Sequence, residues 1–505
     1  MTTTLPTLAE LLATTVERYG DQPALASIDD GQLTWSTWND LANQVAQQAA
    51  TLEKVGVCRG ERVVQIGPNS TEWILNDLAL LSIGAVHVPL HTSLPESQQQ
   101  EQSAHSGARW LVGPNQHIER LPPTPAAELP IPAGLATILY TSGTTGHPRG
   151  VMLSHANLAA NAIATCEAFN SDTQELRLLV LPLSHIYART CDLYCWMIRG
   201  SRLVVGRGRE HFFDDCQLVK PTVINAVPYL YQKLVDAARS DAKKSLRDLL
   251  GGSIRQCFSG GAALAPALIH RFGEEEIPLL PGYGLTETAP VVSVSTKQDH
   301  ASGTVGRVLA NLEVRLATDG EILIRGPSVM LGYWRDPQAT ATILQNGWLH
   351  SGDLGDWDQA GRLKIVGRKK ELIVLATGKK VSPSEVESLL VASPLVEQAM
   401  VVGEGRNHIA AVIVPNPTAL RDEIRRRRLW VWSKRRAVSH PQVVELYRQE
   451  IARVLADLPA SHQVRKFTIL TRGFSIERGE LTSKLSLRRP VIESHFAEEM
   501  SSLFR

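Results

Sequence analysis

The chain contains 505 residues, of which 43% are hydrophobic and 20% charged, and its 52 basic and 51 acidic side chains leave a net charge of +1. At roughly 150 residues per domain this length predicts about three structural units, and the composition is typical of a globular enzyme. The balanced charge argues against nucleic-acid binding through general basicity, so no nucleic-acid partner is expected.

The cysteines and the N-terminus bear on location. Six cysteines are scattered without a CxxC pair, which predicts reduced, structural thiols in a cytoplasmic protein. The start, MTTTLPTLAELLATTVERYG, lacks the basic residues and apolar block of a secretion signal. No window of about 18 uninterrupted apolar residues occurs, so no membrane-spanning helix is expected. Contact with the inner face of a membrane stays open.

Taken in chain order, the hydrophobic patterns predict an α/β protein. Residues 7–19 have helical spacing, and 61–90 read as strand, helix and strand, the rhythm of a parallel sheet. The proline-rich stretch 111–134 predicts a connection without elements. A second α/β rhythm runs from 138 to about 290, and short strands with glycine turns predict a β-rich subdomain over 303–367. The pattern after Arg368 is mixed and ends in a helical tail.

One charge run stands out late in the chain. Residues 425–436, RRRRLWVWSKRR, hold seven basic residues and two tryptophans. The first interpretation is a solvated helix whose apolar side packs on the domain. The second is a basic amphipathic helix that contacts a membrane surface or a polyanionic ligand.

The stretch YTSGTTGHPRG at 140–150 is a candidate phosphate loop. Glycines allow backbone N–H groups to face one concavity, and hydroxyls and a guanidinium add donors for polyphosphate. It lacks the GxxxxGK[ST] spacing of a Walker A loop. On composition alone, a flexible linker is an equal alternative. The candidate ligands are Thr141, Ser142, Gly143, Thr144, Thr145, Gly146 and Arg149.

Two later stretches carry carboxylates among glycines. In PGYGLTETAP, Thr286 offers a hydroxyl, and a carboxylate such as Glu287 beside phosphate normally implies Mg²⁺. Glu287 as a plain surface acid or helix cap is the alternative. In HSGDLG, Asp353 has the short carboxylate that suits a ribose diol, and Arg368 follows about fifteen residues later.

The order of these motifs carries more information than any one of them. TSGTTG…PRGVMLSHANL, SGGAAL (259–264), GYGLTET and SGDLG…GRKKELIVLATGKKVSP together resemble the AMP-forming acyl-adenylate superfamily of acyl-CoA synthetases, luciferases and adenylation domains. LPLSHIYART, GKKVSPSEVE and GELTSKLSLRR are most similar to its long- or medium-chain fatty acyl-CoA synthetase branch. The resemblance extends to the last thirty residues.

The resemblance implies a fold and a reaction. The fold is a large N-terminal AMP-binding domain (1–367) of two layered α/β subdomains and a β-rich subdomain, with a small, mobile α+β C-terminal domain (368–505). The reaction uses ATP and Mg²⁺ to convert a carboxylic acid, of the fatty class in this branch, to acyl-AMP with release of pyrophosphate. The thiol of CoA then takes the acyl group. Such catalysis depends mainly on positioning and charge neutralisation.

The resemblance also implies residue roles. The phosphate loop holds the β- and γ-phosphates, Thr286 contacts the α-phosphate, and Glu287 with Thr145 binds Mg²⁺. Asp353 and Arg368 bind the ribose. His185 lies near the acyl and α-phosphate junction, with a satisfied core histidine as the alternative. Lys370 is the hinge candidate between two domain poses. The adenine slot is lined by Gly260, Gly261, Ala262, Tyr283 and Gly284.

Two positions depart from the family pattern. The phosphate loop usually ends Pro-Lys-Gly, whereas here Arg149 takes the lysine position, keeping charge but changing geometry. The last motif usually reads Leu-Thr-Pro-Thr-x-Lys, whereas here Ser486 aligns with the lysine and Lys484 lies two residues earlier. Lys484 is therefore the candidate catalytic lysine, and the alternative is a surface lysine with slow or lost adenylation.

The sequence leaves three functions open. The first is an acyl-CoA synthetase. The second is an acyl-AMP ligase that loads the phosphopantetheine arm of a separate acyl carrier protein. The third is a nucleotide-binding homologue with impaired catalysis, which the Ser486 departure motivates. Residues 103–135 also look condensed for this branch, so acyl chain length is not predicted.

Overall fold

The computed structural model describes residues 5–124, 130–141, 148–169, 173–240, 244–475, 477–481 and 487–504. The strands in chain order are β1 (Pro23–Asp29), β2 (Gln32–Thr37), β3 (Arg62–Ile66), β4 (Val86–Leu90), β5 (Trp110–Val112), β6 (Ile118–Arg120), β7 (Leu135–Thr141), β8 (Arg149–Ser154), β9 (Leu176–Leu179), β10 (Arg202–Val205), β11 (Val223–Ala226), β12 (Gln256–Ser259), β13 (Leu279–Gly284), β14 (Val291–Val294), β15 (Arg307–Val308), β16 (Glu313–Leu316), β17 (Glu321–Arg325), β18 (Gly332–Tyr333), β19 (Leu344–Gln345), β20 (Trp348–Trp357), β21 (Leu363–Arg368), β22 (Ile373–Val374), β23 (Lys380–Val381), β24 (Val396–Val402), β25 (Ala410–Pro415) and β26 (Lys466–Ile469).

The α-helices in chain order are α1 (Leu8–Tyr19), α2 (Trp38–Val55), α3 (Thr71–Ile83), α4 (Glu96–Ser106), α5 (His155–Phe169), α6 (Ile186–Ala188), α7 (Cys195–Arg199), α8 (Phe212–Val219), α9 (Pro228–Ser240), α10 (Leu246–Leu249), α11 (Pro266–Gly273), α12 (Pro337–Ile343), α13 (Pro383–Val391), α14 (Pro417–Arg426), α15 (Lys434–Val438), α16 (Pro441–Val454), α17 (Arg489–His495) and α18 (Ala497–Ser502). Between α6 and α7 the chain forms a π-helix, Arg189–Tyr194, and short 3₁₀ turns occur at Arg209–His211, Thr286–Thr288, Lys369–Glu371 and Ala460–His462.

The first predicted elements form as expected. Thr7 caps α1 with a reciprocal capping box to Glu10, which satisfies free N–H groups of the first turn. Strands β3 and β4 pair in parallel across α3, so the βαβ prediction for 61–90 is confirmed.

Two large sheets build the N-terminal part. A seven-stranded sheet has the order β18-β8-β7-β4-β3-β5-β6, and a nine-stranded sheet has the order β15-β14-β13-β12-β11-β9-β10-β1-β2. The second α/β rhythm was predicted to begin at residue 138, and this boundary was wrong. Strands β7 and β8 belong to the seven-stranded sheet together with β3 and β4. Strand β6 also lies within 111–134, where no element was expected, and it pairs antiparallel with β5.

A five-stranded antiparallel sheet follows, in which β16-β17-β20-β19 form the path and β21 adds to β20. It confirms the β-rich subdomain predicted from the short strands and glycine turns. Its central pairing sets Asp353 on β20 opposite Arg368 on β21. This pairing brings two candidate ribose ligands together.

The C-terminal part has its own core around the sheet β24-β25-β26. Successive side chains of a strand point to opposite faces. Val401 and Ile413 accordingly pack in one apolar cluster with α13 and α16, while Met400 and Val412 pack in another with α17 and α18. Across the described residues, no helix is both long and apolar enough to cross a membrane.

Candidate active site

The candidate phosphate loop is the tip of a β-hairpin. Strands β7 and β8 pair antiparallel, with Thr141 opposite Arg149. The stretch therefore joins two adjacent strands of one sheet, and its role as a phosphate loop stays a prediction. Five candidate ligands within the tip lie outside the described residues: Ser142, Gly143, Thr144, Thr145 and Gly146.

Arg149 is held at the base of this loop by two groups. Its guanidinium lies 5.3 Å from the ring centroid of Tyr333, and its Nε lies 3.9 Å from a carboxylate oxygen of Asp336. Gly150 allows the close approach of β18, because a Cβ there would lie 2.8 Å from Ile138 and 3.2 Å from Trp334. The arginine is therefore fixed near the loop by stacking as well as by charge.

Thr286 and Glu287 lie on a 3₁₀ turn that several buried groups fix in place. Asn161 Nδ2 donates to the Thr288 carbonyl at 3.1 Å, and Thr190 Oγ1 donates to the Ala289 carbonyl at 2.9 Å. The Glu287 side chain accepts a hydrogen bond from Tyr333 Oη at 2.8 Å. Since Tyr333 also stacks with Arg149, one ring joins the phosphate loop to the candidate metal ligand.

Asp353 and its partners form the second part of the site. Its carboxylate is buried, accepts a hydrogen bond from Tyr283 Oη at 2.7 Å and lies 2.9 Å from Arg368 Nε. Burial raises the pKa of Asp353, while the Arg368 charge and the Tyr283 hydroxyl oppose that shift. The Glu287 carboxylate raises this pKa further, so the two candidate acids lie within electrostatic reach of each other.

The glycines of SGGAAL and PGYGLTET lie where the chain packs too closely, or turns too sharply, for a side chain. A Cβ on Gly260 would lie 3.0 Å from the Tyr187 ring, and Gly261 has the left-handed φ of +80°. A Cβ on Gly284 would collide with the Pro290 carbonyl oxygen. The hydroxyl of neighbouring Ser259 is buried and has no hydrogen-bond partner among the described residues. Gly260, Gly261, Gly284 and Ser259, with Tyr187 over Gly260, are called the glycine slot below, and Ala262 beside them is exposed.

His185 precedes helix α6, with its ring centroid 5.2 Å from that of His91 at the end of β4. Two residues later Tyr187 lies over Gly260. Asn69 fixes this loop, donating to the Leu181 carbonyl at 2.7 Å and accepting from the Leu183 N–H at 2.9 Å. His185 thus lies beside the glycine slot on a half-buried loop, which differs from the core-histidine alternative.

Comparison with known proteins decides the family. The profile described as AMP-binding enzyme matches residues 12–334, and that of the AMP-binding enzyme C-terminal domain matches residues 370–505. The chain belongs to the AMP-binding enzyme family.

The relatives of this AMP-binding enzyme include proteins named as ligases and synthetases. Long-chain-fatty-acid–CoA ligase FadD15 of Mycobacterium bovis is 31% identical, over 94% of this chain and 93% of that protein. Long chain acyl-CoA synthetase 7, peroxisomal, of Arabidopsis thaliana is 26% identical, over 94% of this chain and 82% of its own. The FadD15 alignment spans 576 positions, more than this chain has, so it contains gaps on the side of this chain.

Solved structures agree in fold. The anthranilate CoA ligase AuaEII in complex with anthranoyl-AMP matches with a TM-score of 0.80 at 19% identity, covering 99% of this chain and 98% of its own. O-succinylbenzoate coenzyme A synthetase (MenE) of Bacillus subtilis with ATP and magnesium ion matches with a TM-score of 0.75 at 23% identity, covering 95% and 98%. At these identities the likeness shows the fold, with its large N-terminal domain and distinct C-terminal domain.

ATP, Mg²⁺ and CoA are the cofactors and co-substrate of the family, and the residues present fit the metal. Among the described residues, no group of three or more His, Cys, Asp or Glu side chains forms a metal cage. Mg²⁺ in nucleotide sites usually takes only one or two protein carboxylates beside phosphate oxygens and waters. Glu287 can serve in this way, since Tyr333 engages Oε1 and no described residue donates to Oε2.

The hinge candidate lies between two anchored neighbours. Lys369 Nζ is 3.0 Å from Glu321 of the five-stranded sheet, and Glu371 is 3.9 Å from Arg489 near the C-terminus. Lys370 between them is exposed. The segment therefore passes in three residues from contacts of the β-rich sheet to contacts of the C-terminal core.

The loop that carries Lys484 and Ser486 lies outside the described residues, but its base is described. Leu481 and Leu487, which flank it, form an isolated antiparallel bridge. At the base, the carboxylate of Glu480 is fully buried. It lies close to three basic side chains, listed with their closest distances: Arg472 at 2.8 Å, His495 at 2.9 Å and Arg478 at 3.1 Å.

Motif analysis missed a buried charge network behind the site. Arg189, which opens the π-helix, pairs with Asp77 of α3 and donates to Thr137 Oγ1 of β7 at 2.8 Å, and both charged side chains are fully buried. Tyr194 Oη donates to Asp77 at 3.1 Å, and His87 Nδ1 lies 2.7 Å from the same carboxylate. Arg189 is the second-last residue of the motif LPLSHIYART, but its partners are far away in sequence, and no local signal identifies them. π-Helical insertions often occur at functional sites.

Glu480→Gln is expected to weaken the acid dependence of stability. Burial alone raises the pKa of Glu480, but hydrogen bonds from His495, Arg472 and Arg478 outweigh it and lower the pKa from 4.5 to about 2. A lowered carboxyl pKa adds stability above pH 4.5 that is lost as the pH falls toward 2. Because the three partner side chains are partly exposed, we expect Glu480→Gln to lower the free energy of unfolding at pH 7 by about 2 kcal/mol.

The measurement is denaturant unfolding between pH 7 and pH 3. The difference between Glu480→Gln and the unmodified chain should shrink as the pH falls. Glu498→Gln, an exposed acid on the next helix, is the matched control and should change little. A Glu480→Gln penalty that is constant with pH contradicts the charge explanation.

Arg149→Lys is expected to keep most of the affinity for ATP, whereas Arg149→Met is not. Lysine retains the charge but loses the planar stacking on Tyr333. Loss of one charge-assisted hydrogen bond to phosphate costs about 1.5–3 kcal/mol, or roughly 10- to 100-fold in KM for ATP for the methionine variant. Steady-state pyrophosphate exchange measures both. A KM for ATP in Arg149→Met equal to that of the unmodified chain would exclude a phosphate contact.

Proposed function

We propose that this AMP-binding enzyme is a fatty acyl-CoA ligase. Its reaction is ATP-dependent activation of a carboxylic acid to acyl-AMP with release of pyrophosphate, followed by transfer of the acyl group to the thiol of CoA. The observation that supports a fatty-acid substrate is the similarity to FadD15 across 94% of this chain, at 31% identity. The carrier-protein and impaired-homologue alternatives have no comparable support.

The chemistry of the first step is determined by the negative charges of the two substrates, the carboxylate and ATP. A carboxylate is a poor electrophile because it is anionic and would have to expel oxide. Attack of its oxygen on the α-phosphorus of ATP breaks the bond to pyrophosphate and leaves an acyl group on a better leaving group. Two anions must meet in this step, so positive charge and positioning supply most of the catalysis.

The described residues support an assignment of the nucleotide contacts. The glycine slot beside Tyr283 would hold adenine, and Asp353 would accept the ribose hydroxyls, because each carboxylate oxygen retains an unused lone pair. Arg368 would keep Asp353 ionised despite its burial. Arg149 at the base of the hairpin tip would face the β- and γ-phosphates.

The reacting atoms would lie between three groups. Thr286 would contact the α-phosphate, and Glu287 would bind Mg²⁺ together with Thr145. His185, on the loop beside the glycine slot, would face the acyl carboxylate. Lys484 would bring its ammonium to the carboxylate and α-phosphate, where a mobile point charge suits a geometry that changes during the step.

The second half-reaction would require a second domain pose. We assign residues 1–367 to the large domain and 368–505 to the swivelling domain, with Lys370 as the hinge. Lys369 contacts Glu321 of the large domain and Glu371 contacts Arg489 of the C-terminal domain, which supports this division. Rotation at Lys370 would withdraw the lysine loop and admit the CoA thiol, which attacks the acyl carbon and releases AMP.

The deciding experiment is ATP–pyrophosphate exchange over straight-chain acids from two to eighteen carbons and over aromatic acids. Fatty acids should give the highest kcat/KM. Aromatic acids are the sharpest competitor, because feruloyl-CoA synthase of Amycolatopsis is 32% identical over 73% of this chain. Preference for an aromatic acid would replace the fatty-acid assignment.

The acceptor is tested in a second stage. Isolated acyl-AMP is offered with CoA or with a phosphopantetheinylated carrier protein, and consumption by CoA is expected to dominate. Faster transfer to the carrier would favour an acyl-AMP ligase. Binding of ATP without AMP formation from any acid would favour the impaired homologue.

A further inference from the structure

The segment 425–436 does not form one continuous helix. Helix α14 ends at Arg426, Arg428 adopts a left-handed φ of 53°, and α15 starts at Lys434 behind the N-cap Ser433. The prediction of a single basic helix was therefore wrong. Residues 427–433 instead form a short loop between two helices.

This loop is anchored on one side only. Leu429 packs against the C-terminal core, and Ala437 and Val438 at the far end are buried. Trp430 and Trp432 face the opposite way, with 82% and 75% of their surface exposed and ring centroids 5.6 Å apart. The other eight tryptophans of the chain are buried or half-buried, so these two are the exception.

The surrounding charge is almost all positive. All seven basic residues of 425–436 are exposed. The sequence from 417 to 438 contains two acidic residues, Asp422 and Glu423. Glu423 pairs with Arg426 and Arg427. The remaining basic residues form no ion pair with the described part of the chain: Arg425, Arg428, Lys434, Arg435 and Arg436.

We propose that residues 425–436 form a docking surface for an anionic lipid bilayer. Indole rings favour the boundary between headgroups and acyl chains, where the ring is partly dehydrated and its N–H stays hydrated. Arginine and lysine beside them attract anionic headgroups. Two exposed indoles ringed by unpaired cations meet both requirements, whereas a soluble polyanion would use the cations and leave the indoles in water.

The test is co-sedimentation of the full chain with vesicles of phosphatidylcholine alone or with about 30% phosphatidylglycerol. Binding should require the anionic lipid and should fall as salt rises from 0.1 to 0.5 M, because screening weakens exposed charges. At roughly five-fold per basic residue, Lys434→Gln/Arg435→Gln/Arg436→Gln should lower the partition coefficient about 100-fold. Trp430→Ser/Trp432→Ser should lower it about ten-fold or more.

The matched control removes equal charge elsewhere on the exposed surface, as Arg18→Gln/Lys54→Gln/Lys297→Gln, and should retain vesicle binding. Lipids brominated near the headgroup should quench tryptophan fluorescence of the unmodified chain and not of Trp430→Phe/Trp432→Phe. An equal loss of vesicle binding in the control variant overturns the proposal. So does a chain that binds heparin, and binds vesicles equally well with and without Trp430 and Trp432. Tryptophan-dependent dimerisation without vesicle binding also overturns it.

This proposal stands apart from the ligase assignment. Vesicle binding is measured without ATP, acid or CoA, so its failure leaves the reaction untouched. Failure of the exchange assay likewise says nothing about the surface. Exchange activity of the tryptophan variant with a water-soluble short acid checks that the fold is intact.

Discussion

Arg189→Met is expected to destabilise the folded chain by about 3–5 kcal/mol, because it leaves the fully buried Asp77 carboxylate without its cation. Burial is the largest single effect on the pKa of Asp77 and raises it. The Arg189 charge and the hydrogen bond from His87 together outweigh burial, so the pKa is lowered. The same arginine also binds Thr137 on the strand that leads into the phosphate loop. Urea unfolding measures the loss, and ATP affinity should fall with it.

Two controls separate lost charge from lost packing. Asp77→Asn/Arg189→Met removes both charges and should recover part of the loss, since an apolar or neutral replacement of a whole buried pair is often tolerated. Arg325→Met breaks an exposed pair with Glu313 and should cost less than about 1 kcal/mol. If Arg189→Met costs no more than Arg325→Met, the network is not a structural support.

Lys484→Ala is expected to lower the rate of pyrophosphate exchange by about 10²–10³, the usual effect of removing one donor that stabilises developing charge. Thioester formation from supplied acyl-AMP should be nearly unchanged, because the lysine would act only in the first half-reaction. Stopped-flow or single-turnover measurement of each step makes the comparison. Unchanged exchange in Lys484→Ala removes this lysine from the mechanism.

A companion variant tests the displaced position. Lys484→Ala/Ser486→Lys returns the ammonium to the position where the family pattern has it. Leu481 and Leu487 on either side of residues 482–486 are paired with each other, and the buried Glu480 precedes Leu481. We therefore expect the double variant to recover part of the activity. Recovery would show that either position on this loop reaches the reacting atoms.

Local patterns predicted the element types well. The capped helix α1 and the unit β3-α3-β4 form where periodicity indicated. The division into sheets was harder, because strand partners are chosen by tertiary packing. Strands β7 and β8 lie at the start of the second α/β rhythm in the sequence, yet they pair within the seven-stranded sheet.

The site was predictable where its residues lie in compact motifs. Asp353 and Arg368 are close in sequence and meet as register partners on one hairpin. Tyr333, Asn161 and Thr190 were missed, because each contacts the Glu287 turn from a distant segment. Thr190 lies within LPLSHIYART, but nothing in that motif indicates which turn it contacts. The Arg189 network shares this property, so only the folded chain reveals it.

The pairing of β1 with β10 has a consequence for how the chain folds during synthesis. Leu25 pairs with Leu203, and on the other sheet Gly332 pairs with Met152. Pairings between distant residues form slowly, and unpaired strand edges invite association with other chains. During synthesis, β1 stays without its partner β10 until residue 205 has emerged from the ribosome, and β8 without its partner β18 until residue 333 has emerged. Both strands are therefore exposed to association with other chains over most of the synthesis of the N-terminal part.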